Sequence, residues 1–481
     1  MDLDPDAAYL ALKARDARFD GRLFVGVTST GIYCRPVCRV RTPRRENCRF
    51  FGTRAQAEAA AFRPCMKCRP EIAPGLSLMD SSRSLADTAA RFIEHAVHQG
   101  ENLPLPRLAE RLGVTDRHLR RIFLAAHGVG PLDYLSTQRL LLAKQLLTDT
   151  TQPVTQVALA SGFASLRRFN AAFAERYRFN PSQLRREGAS PSRGDVLHLA
   201  WRPPYDVPAM LGFFARRQLQ GVEEVDRLVL RRTLGWQHQG QPVQGWLSAR
   251  FVPEKNEVHL STSSSLMPVL GAVLQRVRQA LDLDADPELI DPVMALLPVP
   301  HRPGARLPGA MDGFELAVRI ILGQQVTVKA ARTLVQRLVN RYGAPISTPF
   351  PALTHLFPDA PTLAAADAET IGKLGIVRQR VKALQSLAVA VADGHIELHR
   401  SAPLQPTLDA LRALPGIGDW TAQLIAMRAL GWPDAWPASD IGLMHALGSR
   451  DVKHITALAE PWRPWRAYAV MRLWHHVETL E

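Results

Sequence analysis

Two stretches in the first half of the chain share one pattern of apolar and polar positions. Residues 105–114 recur as residues 154–163, an offset of 49 residues. In each copy, apolar or small residues stand at i, i+3, i+4 and i+7, which places them on one face of a helix. A glycine follows, Gly113 or Gly162, and then a second amphipathic helix. The residues predicted to point inward on the second helices are Leu119, Ile122 and Phe123 in one copy and Leu166, Phe169 and Phe173 in the other.

Farther along the chain the periodicity changes. Strand-like runs at Arg227–Leu234, Trp246–Phe251 and Glu257–Ser261 and a helix near Pro268–Leu281 predict a part that mixes strands with helices. From residue 300 onward, helical periodicity dominates. The sequence therefore predicts a mainly helical multidomain protein with α+β parts.

Breaks in these patterns suggest where the domains meet. Gly-, Ser- and Pro-rich stretches at 73–84 and 188–194, and a Pro-rich run at 298–308, predict connections between domains. A chain of 481 residues is also too long for a single hydrophobic core. The predicted domains are 1–75, 83–187, 195–297 and 300–481.

The net charge of +14 and the pI near 10.0 favour a polyanionic partner. The excess is concentrated, because residues 1–190 hold 29 basic and 18 acidic side chains. Nucleic acid is the favoured partner over an anionic membrane, since no apolar run approaches the roughly 18 residues of a spanning helix. The acidic start of the chain does not resemble a secretory signal. We therefore expect a soluble, cytoplasmic protein.

Four of the five cysteines form two close pairs, Cys34 with Cys38 and Cys65 with Cys68. Two such pairs suit one tetrahedral zinc ion per chain. Residues 31–70 hold ten basic and two acidic side chains, including Arg35, Arg39, Arg41 and Lys67. Nearby cations keep thiolates deprotonated and nucleophilic, which a purely structural site does not require. A structural zinc site without chemistry is the alternative, and Cys48 is given no role.

Three motifs around these cysteines, Ser29–Arg39, Arg45–Asn47 and Phe62–Cys68, closely resemble the N-terminal domain of the Ada response protein. The resemblance implies a small α/β zinc domain. It also implies that Cys34 accepts a methyl group from a methyl phosphotriester in DNA. The Pro-Cys-His-Arg motif with which full-length Ada proteins repair O6-methylguanine is missing, so we expect that activity to be absent.

Residues 83–187 resemble the AraC-type DNA-binding domain, in which a long helix joins two helix-turn-helix units. The motifs that carry this resemblance are Pro131–Leu135, Arg139–Ala143, Ser161–Phe163 and Phe179–Gln183. A recognition helix must present polar groups to the DNA groove. The predicted DNA-contacting residues on the polar faces of the second helices are Arg117, Arg120, Arg121, Arg167, Arg168 and Asn170, with His118 beside them.

Near the C-terminus, Leu414–Ala422 carries two glycines one residue apart, Gly416 and Gly418, before a predicted helix. Such a turn brings backbone N–H groups to a phosphate at a helix N-terminus. An ordinary tight connection is the alternative. Twenty residues beyond Trp420, Asp440 begins a further predicted helix, where an N-cap is its simplest role.

Together these features resemble the helix-hairpin-helix DNA glycosylases, and the AlkA-type 3-methyladenine glycosylases in particular, over residues 197–476. The motifs are Trp201–Asp206, Met210–Phe214, Ile321–Val326 and Trp462–Ala469. The resemblance implies that Asp440 is the catalytic carboxylate and that the damaged base is flipped out of the duplex. It further implies a base pocket, duplex contacts and a monovalent cation at the hairpin. The pocket residues are Phe213, Trp420 and Trp474, and the contact residues are Gly416, Gly418, Thr421 and Gln325. Core packing is the alternative role for Phe213 and Trp474.

This resemblance has three consequences for the chemistry. Bifunctional relatives carry a lysine where this chain has Trp420, so no strand nicking is expected. Gln325 stands where an apolar residue is expected to wedge into the duplex, and Leu424 replaces an aromatic residue, which affects the substrate range. The favoured hypothesis is a glycosylase fused to a methyl-activated regulator that binds damaged and promoter duplexes as a monomer. The alternative is a transcription regulator that only binds DNA and whose glycosylase domain is inactive.

Overall fold

The structure is a computed structural model that describes residues 5–15, 23–52, 54–68, 70, 78–98, 103–150, 152–188, 196–238 and 241–480. The chain divides into two compact units, one formed by residues 1–94 and 103–136 and the other by 95–102 and 137–481. The prediction of a mainly helical multidomain protein with α+β parts is confirmed. Within the described part of the chain, no helix has both the length and the apolar character needed to span a bilayer.

The first unit begins with a small α/β arrangement. Its four-stranded sheet has the order β3-β1-β2-β4, with β1 antiparallel to both neighbours and β4 parallel to β2. The strands are β1 (Phe24–Val27), β2 (Ile32–Cys34), β3 (Cys48–Phe51) and β4 (Arg63–Pro64), and the helices are α1 (Pro5–Ala14) and α2 (Arg54–Ala59). Phe24, Tyr33 and Phe62 form a buried aromatic cluster between the sheet and α2.

The first copy of the repeat follows as α3 (Leu78–His98), α4 (Leu105–Arg111) and α5 (Asp116–His127). The predicted connection at 73–84 is therefore wrong from residue 78 onward, and residues 71–77 lie outside the described residues. Small polar residues are tolerated at the start of this helix because its later turns pack into a hydrophobic core through Ala86, Ala89 and Ile93.

The second copy comprises α6 (Pro131–Asp149), α7 (Val154–Ala160), α8 (Leu166–Tyr177) and α9 (Pro181–Gly188). Both repeat glycines have positive φ angles, 66° and 79°, as the predicted turns require. Five of the six residues predicted to point inward are buried, but Leu166 is 39% exposed. Leu166 is the first residue of α8, directly after its N-cap Ser165, and corresponds to Asp116 after the N-cap Thr115 of α5, which is not buried either.

An antiparallel five-stranded sheet with the order β5-β9-β8-β7-β6 forms the next part. Its strands are β5 (Leu197–Ala200), β6 (Glu223–Asp226), β7 (Val229–His238), β8 (Gln241–Val252) and β9 (Glu257–Thr262), accompanied by helices α10 (Val207–Arg217), α11 (Leu270–Ala280) and α12 (Pro287–Met294). The three predicted strands and the predicted helix correspond to β7, β8, β9 and α11. Residues 298–308 form no helix or strand, yet Ala305 and Leu307 are buried, so this connection is packed.

The remaining helices enclose the largest hydrophobic core of the described residues, which buries aliphatic side chains from Leu316 to Leu473. They are α13 (Gly313–Leu322), α14 (Val328–Tyr342), α15 (Ala360–Ala365), α16 (Ala368–Lys373), α17 (Arg378–Ala392), α18 (Leu404–Ala413), α19 (Asp419–Arg428), α20 (Ile441–Ala446), α21 (Val452–Leu458) and α22 (Arg466–Leu480). This packing brings the hairpin before α19, the start of α20 and the face of α22 to one cleft.

Candidate functional site

A cleft of about 1400 Å³ lies in the second unit, lined by α10 and by helices of the C-terminal part. Its volume is ample for a single flipped nucleotide. Most residues that the sequence predicted for the base pocket and the hairpin line this cleft. They are Phe213, Gln325, Gly416, Trp420, Thr421, Asp440 and Trp474.

Asp440 is held by three hydrogen bonds. It caps α20 by accepting the backbone N–H of Leu443 at 3.1 Å, so the simple N-cap role predicted for it is real. The indole Nε1 of Trp474 donates to Oδ1 and that of Trp420 donates to Oδ2, each at 2.8 Å. The residue is only 7% exposed, and what remains accessible faces the cleft. The carboxylate therefore does more than cap a helix, because charge-assisted bonds on both oxygens fix its orientation.

Gly442 makes room for this arrangement. A Cβ atom at this position would lie 3.0 Å from Cδ1 of Trp474 and 3.1 Å from Oδ1 of Asp440. Both distances are tighter than ordinary contacts, so glycine lets the indole approach the carboxylate closely. Gly442 lies outside the sequence motifs that predict the site.

The hairpin before α19 has the predicted tight turn. Gly416 has a φ of 78°, and an added Cβ would lie 3.0 Å from the Cβ of Ala383. Gly418 is exposed and stands at the N-cap of α19. Gln324 secures the turn, since its Nε2 donates to the Gly416 carbonyl at 2.9 Å and to Thr421 Oγ1 at 3.0 Å.

Thr421 is buried, although the resemblance implies that it contacts DNA. The residue is 2% exposed and its hydroxyl accepts a hydrogen bond from Gln324. Its side chain therefore helps to position the hairpin, and its contact with DNA stays a prediction. The neighbouring Gln325, in contrast, is exposed at the cleft and has a φ of 55°, a strained value for a residue other than glycine.

Phe213 also lines the cleft but is buried, with 4% of its surface exposed. The guanidinium groups of Arg217 and Arg428 lie over its ring, 3.9 and 4.7 Å from the centroid. Burial lowers the pKa of Arg428 to about 9 and that of Arg217 to about 10, which still leaves both charged at neutral pH. Two guanidinium groups of the protein itself therefore already occupy the π face of the Phe213 ring.

The four cysteines of the two pairs are buried together, with all four Sγ atoms within 4.8 Å of one another. Hydrogen bonds from Cys34 and Cys68 lower the pKa of Cys38, and the bond to Cys38 raises the pKa of Cys34. Thiols this close cannot all ionise unless a cation compensates their charge. The donor set therefore fits zinc, which binds four thiolates tetrahedrally.

Cys48 lies apart from this cluster on β3, as expected. It packs beside Leu12 and Val25, its thiol donates to the carbonyl of Arg44 at 3.2 Å, and burial raises its pKa. Among the basic residues near the cluster, Arg35 is buried and its backbone N–H points to Cys68 Sγ at 3.5 Å. The other three, Arg39, Arg41 and Lys67, are exposed.

The residues proposed for DNA recognition on α5 and α8 all lie on exposed helix faces. Arg120 is partly engaged, because it pairs with Asp116 one turn earlier at 3.1 Å. Arg121 lies within 2.9 Å of His118 Nδ1. The corresponding face of α8 carries Arg167, Arg168 and Asn170 in exposed positions.

Four family models match successive parts of the chain. They are the metal binding domain of Ada at residues 7–71, a helix-turn-helix domain at 108–187, the AlkA N-terminal domain at 196–312 and the HhH-GPD superfamily of base excision DNA repair proteins at 318–452. The prediction of a four-thiolate zinc site, a DNA-binding part and a glycosylase fold is confirmed by these matches.

One relative extends over nearly the whole chain. It is described as "Probable bifunctional transcriptional activator/DNA repair enzyme AlkA" of Mycobacterium tuberculosis and is 37% identical over 99% of this chain and 97% of its own length. The chain belongs to this AlkA family.

Two further likenesses each cover somewhat more than half of this AlkA-family chain. DNA-3-methyladenine glycosylase 2 of Escherichia coli is 34% identical over 58% of this chain and 96% of its own length. The solved 3-methyladenine DNA glycosylase of Archaeoglobus fulgidus has a TM-score of 0.50 and 19% identity, and it covers 59% of this chain and 99% of its own; it therefore supports the fold alone.

Proposed function

We propose that this AlkA-family chain is a monofunctional DNA glycosylase that releases 3-methyladenine-type bases, fused to a regulator that methyl transfer to Cys34 activates. The observation that carries the first half is the carboxylate of Asp440, held in the cleft by the indoles of Trp420 and Trp474. Two of the three donors to this carboxylate are indoles that line the cleft, and only the third belongs to the helix that Asp440 caps.

In the proposed reaction, the alkylated nucleotide turns out of the duplex into the cleft. The bond between the base nitrogen and C1′ breaks, and its electron pair leaves with the base, which neutralises the positive charge of an N3- or N7-alkylated base. Asp440 stabilises the positive charge that develops on the sugar. A water molecule then bonds to C1′ and loses its proton, so that a free base and an abasic site remain.

Selectivity for cationic bases is proposed to come from the half-buried indoles of Trp420 and Trp474, because electron-rich rings attract a cation more than a neutral base. Phe213 belongs to the deeper wall. Gly416, Gly418 and Gln325 are proposed to contact the damaged strand. On α5 and α8, the residues proposed to contact promoter DNA are Arg117, Arg120, Arg121, Arg167, Arg168 and Asn170.

The decisive assay is release of 3-methyladenine from methylated duplex DNA by the wild type and by Asp440→Asn. The amide keeps the size of the side chain but cannot balance a cation, so we expect a loss of about 10²–10³ in rate or more with duplex binding retained. Asp451→Asn is a matched control, since Asp451 also caps a helix, α21, but does not line the cleft. Equal activity of wild type and Asp440→Asn would refute the assignment.

We further propose that the enzyme does not cleave the strand, since Trp420 occupies the place of the Schiff-base lysine. The test is borohydride trapping on an abasic duplex, with no covalent complex expected. Lys329, which lines the cleft, is the amine to check. A trapped complex that disappears in Lys329→Ala would contradict the proposal and identify the amine.

For the regulatory half, zinc when bound keeps the four thiolates deprotonated. Cys34 Sγ then attacks the methyl carbon of a methyl phosphotriester. The new S–C bond forms as the O–C bond breaks, and the phosphate oxygen keeps the electron pair. Peptide mass spectrometry of wild-type protein exposed to methylated DNA should find the methyl group on Cys34. Finding it on Cys65, which is equally buried, would overturn the assignment.

Methyl transfer changes the charge of the site. Four thiolates and one zinc ion carry a net charge of −2, and methylation leaves −1. One charge several ångströms from a phosphate is worth about 1–3 kcal/mol at an effective dielectric near 20, or roughly a tenfold to hundredfold gain in affinity. Titration of promoter DNA before and after methylation measures the gain, with Cys34→Ala as the control. An equal gain in Cys34→Ala would refute the sensor.

We also propose that the protein acts on DNA as a monomer, with domains at 1–75, 195–297 and 300–481 and a helix-turn-helix domain that begins with α3 at Leu78, rather than at residue 83, and ends at residue 187. The basic surplus of residues 1–190 supports the front half as the promoter-binding part. Sedimentation of the full chain with and without promoter DNA tests the stoichiometry, and one chain per duplex is the expected result.

A further inference from the structure

A second group of metal-binding side chains lies on the five-stranded sheet, away from the cysteines and the cleft. His198 on β5 stands directly opposite His259 on β9 in the antiparallel register. Glu257 precedes His259 by two residues, and alternate residues of a strand point to the same face. All three side chains therefore share one face of the sheet. Their strand neighbours Leu199 and Val258 are buried on the other face.

The donor atoms of these three residues have already converged. Oε2 of Glu257 lies 3.0 Å from Nδ1 of His198 and 3.1 Å from Nε2 of His259. The three donor atoms all lie within 4.8 Å of one another. A tetrahedral zinc ion with donors at about 2.0–2.2 Å separates them by roughly 3.3–3.6 Å. An ion could thus replace the two hydrogen bonds after small side-chain movements.

The backbone fixes this geometry. Two of the donors are a cross-strand pair and the third is on the same strand, so the ladder between β5 and β9 holds all three in register. Half-buried side chains are also easier to desolvate than fully exposed ones, and the exposed fractions here are 38%, 27% and 22% for His198, Glu257 and His259.

The local charges partly favour a cation. Asp149 at the end of α6 accepts the backbone N–H of His198 at 3.3 Å, which brings a second carboxylate close to the group. Arg250 opposes binding, because it faces His259 from β8 and shares that side of the sheet. Its side chain is exposed and is therefore free to extend into solvent.

We propose that His198, Glu257 and His259 form a second zinc site, in addition to the four-thiolate site. Two imidazoles and one carboxylate are a ligand set that zinc accepts, with water in the fourth position. The ion would tie edge strand β5 to β9 beside the end of α6. This site is independent of both halves of the proposed function.

The test uses the full chain with its four-thiolate site already filled by zinc. Titration with Co²⁺ should then show one further ion bound, with a d–d spectrum that lacks the thiolate charge-transfer band, and Zn²⁺ should displace it. His259→Ala and Glu257→Gln should each weaken Co²⁺ binding at least tenfold. His301→Ala, which removes an exposed histidine outside the group, should bind like the wild type.

Arg250→Ala should bind Co²⁺ severalfold more tightly, because it removes the opposing charge. No further ion bound by the wild type would overturn the proposal and leave the group as an ordinary ion-pair cluster. Equal binding by the wild type and Glu257→Gln would overturn it as well. Glu257→Gln keeps the size and hydrogen-bonding capacity of the side chain, so it decides the matter even if His259→Ala fails to fold.

Discussion

Replacing each indole that holds Asp440 by phenylalanine should slow base release without abolishing DNA binding. Trp474→Phe and Trp420→Phe keep an aromatic ring in the cleft but remove the N–H that donates to the carboxylate at 2.8 Å. The base can still stack, whereas the carboxylate loses part of its orientation. The two variants therefore test how the indoles position Asp440 while keeping an aromatic ring in contact with the base.

The size of the effect follows from the hydrogen bonds. A bond to a charged group contributes about 1.5–3 kcal/mol, which corresponds to roughly 10- to 150-fold in rate if all of it serves the transition state. Without Trp474, Oδ1 still accepts the Leu443 N–H at 3.1 Å. Trp420 is the sole donor that the described residues offer to Oδ2. We therefore expect Trp420→Phe to have the larger effect.

The assay is the single-turnover rate of 3-methyladenine release at saturating enzyme, with duplex affinity and melting temperature measured in parallel. Trp246→Phe is the matched control, because this half-buried tryptophan lies on β8 and does not line the cleft. If both cleft variants release base within twofold of the wild-type rate, the indoles do not position the carboxylate and the reasoning fails.

Three further predictions concern zinc, the hairpin and acid stability. Cys48→Ser should retain the zinc of the four-thiolate site and Cys65→Ser should lose it together with the fold of the first domain, as measured by zinc content and circular dichroism. Gly416→Ala should weaken damaged-duplex binding and base release more than Gly394→Ala, which shares a positive φ but has open space around it. Burial lowers the pKa of His95 from 6.5 to about 4, so between these pH values the unfolded chain binds more protons than the folded chain. The free energy of unfolding therefore falls as the pH drops below 6.5. Urea titrations should show a smaller fall in the free energy of unfolding for His95→Phe than for the wild type.

Several features could be predicted from the sequence because short segments determine them. The two cysteine pairs each lie within five residues of chain, and their four thiols meet in one cluster. The hairpin glycines likewise identify a local turn, and Gly416 adopts the left-handed conformation expected of it. Periodicity was sufficient for the strands and helices of the α+β part, since each buries one face.

One error arises at the start of a helix. The helical spacing predicts that Leu166 shares an inward face with Phe169 and Phe173, but Leu166 is the first residue of α8, directly after its N-cap Ser165. Counted from the N-caps Ser165 and Thr115, Leu166 corresponds to Asp116, which is not a buried position of α5 either. Phe169 and Phe173 then match Leu119 and Phe123, and they are the buried residues of the second copy.

Contacts between distant segments could not be predicted from motifs. The hydroxyl of Thr421 accepts a hydrogen bond from Gln324, 97 residues earlier, so its side chain helps to position the hairpin from inside the protein. The motif around Gln324 was recognised, yet only the fold reveals that its amide fastens the hairpin. Gly442 is a similar case, because its role depends on the approach of Trp474 from another helix.

In the aromatic pocket, residue type alone does not determine which rings are available to a cationic base. The resemblance to the AlkA-type glycosylases implies a base pocket formed by the rings of Phe213, Trp420 and Trp474. Two guanidinium groups already lie over Phe213, and a cationic base would have to compete with Arg217 and Arg428 for that ring. Attraction for the cation therefore has to come from the two indoles and from the carboxylate they hold. The same side chains would thus both select the charged base and orient the group that removes it.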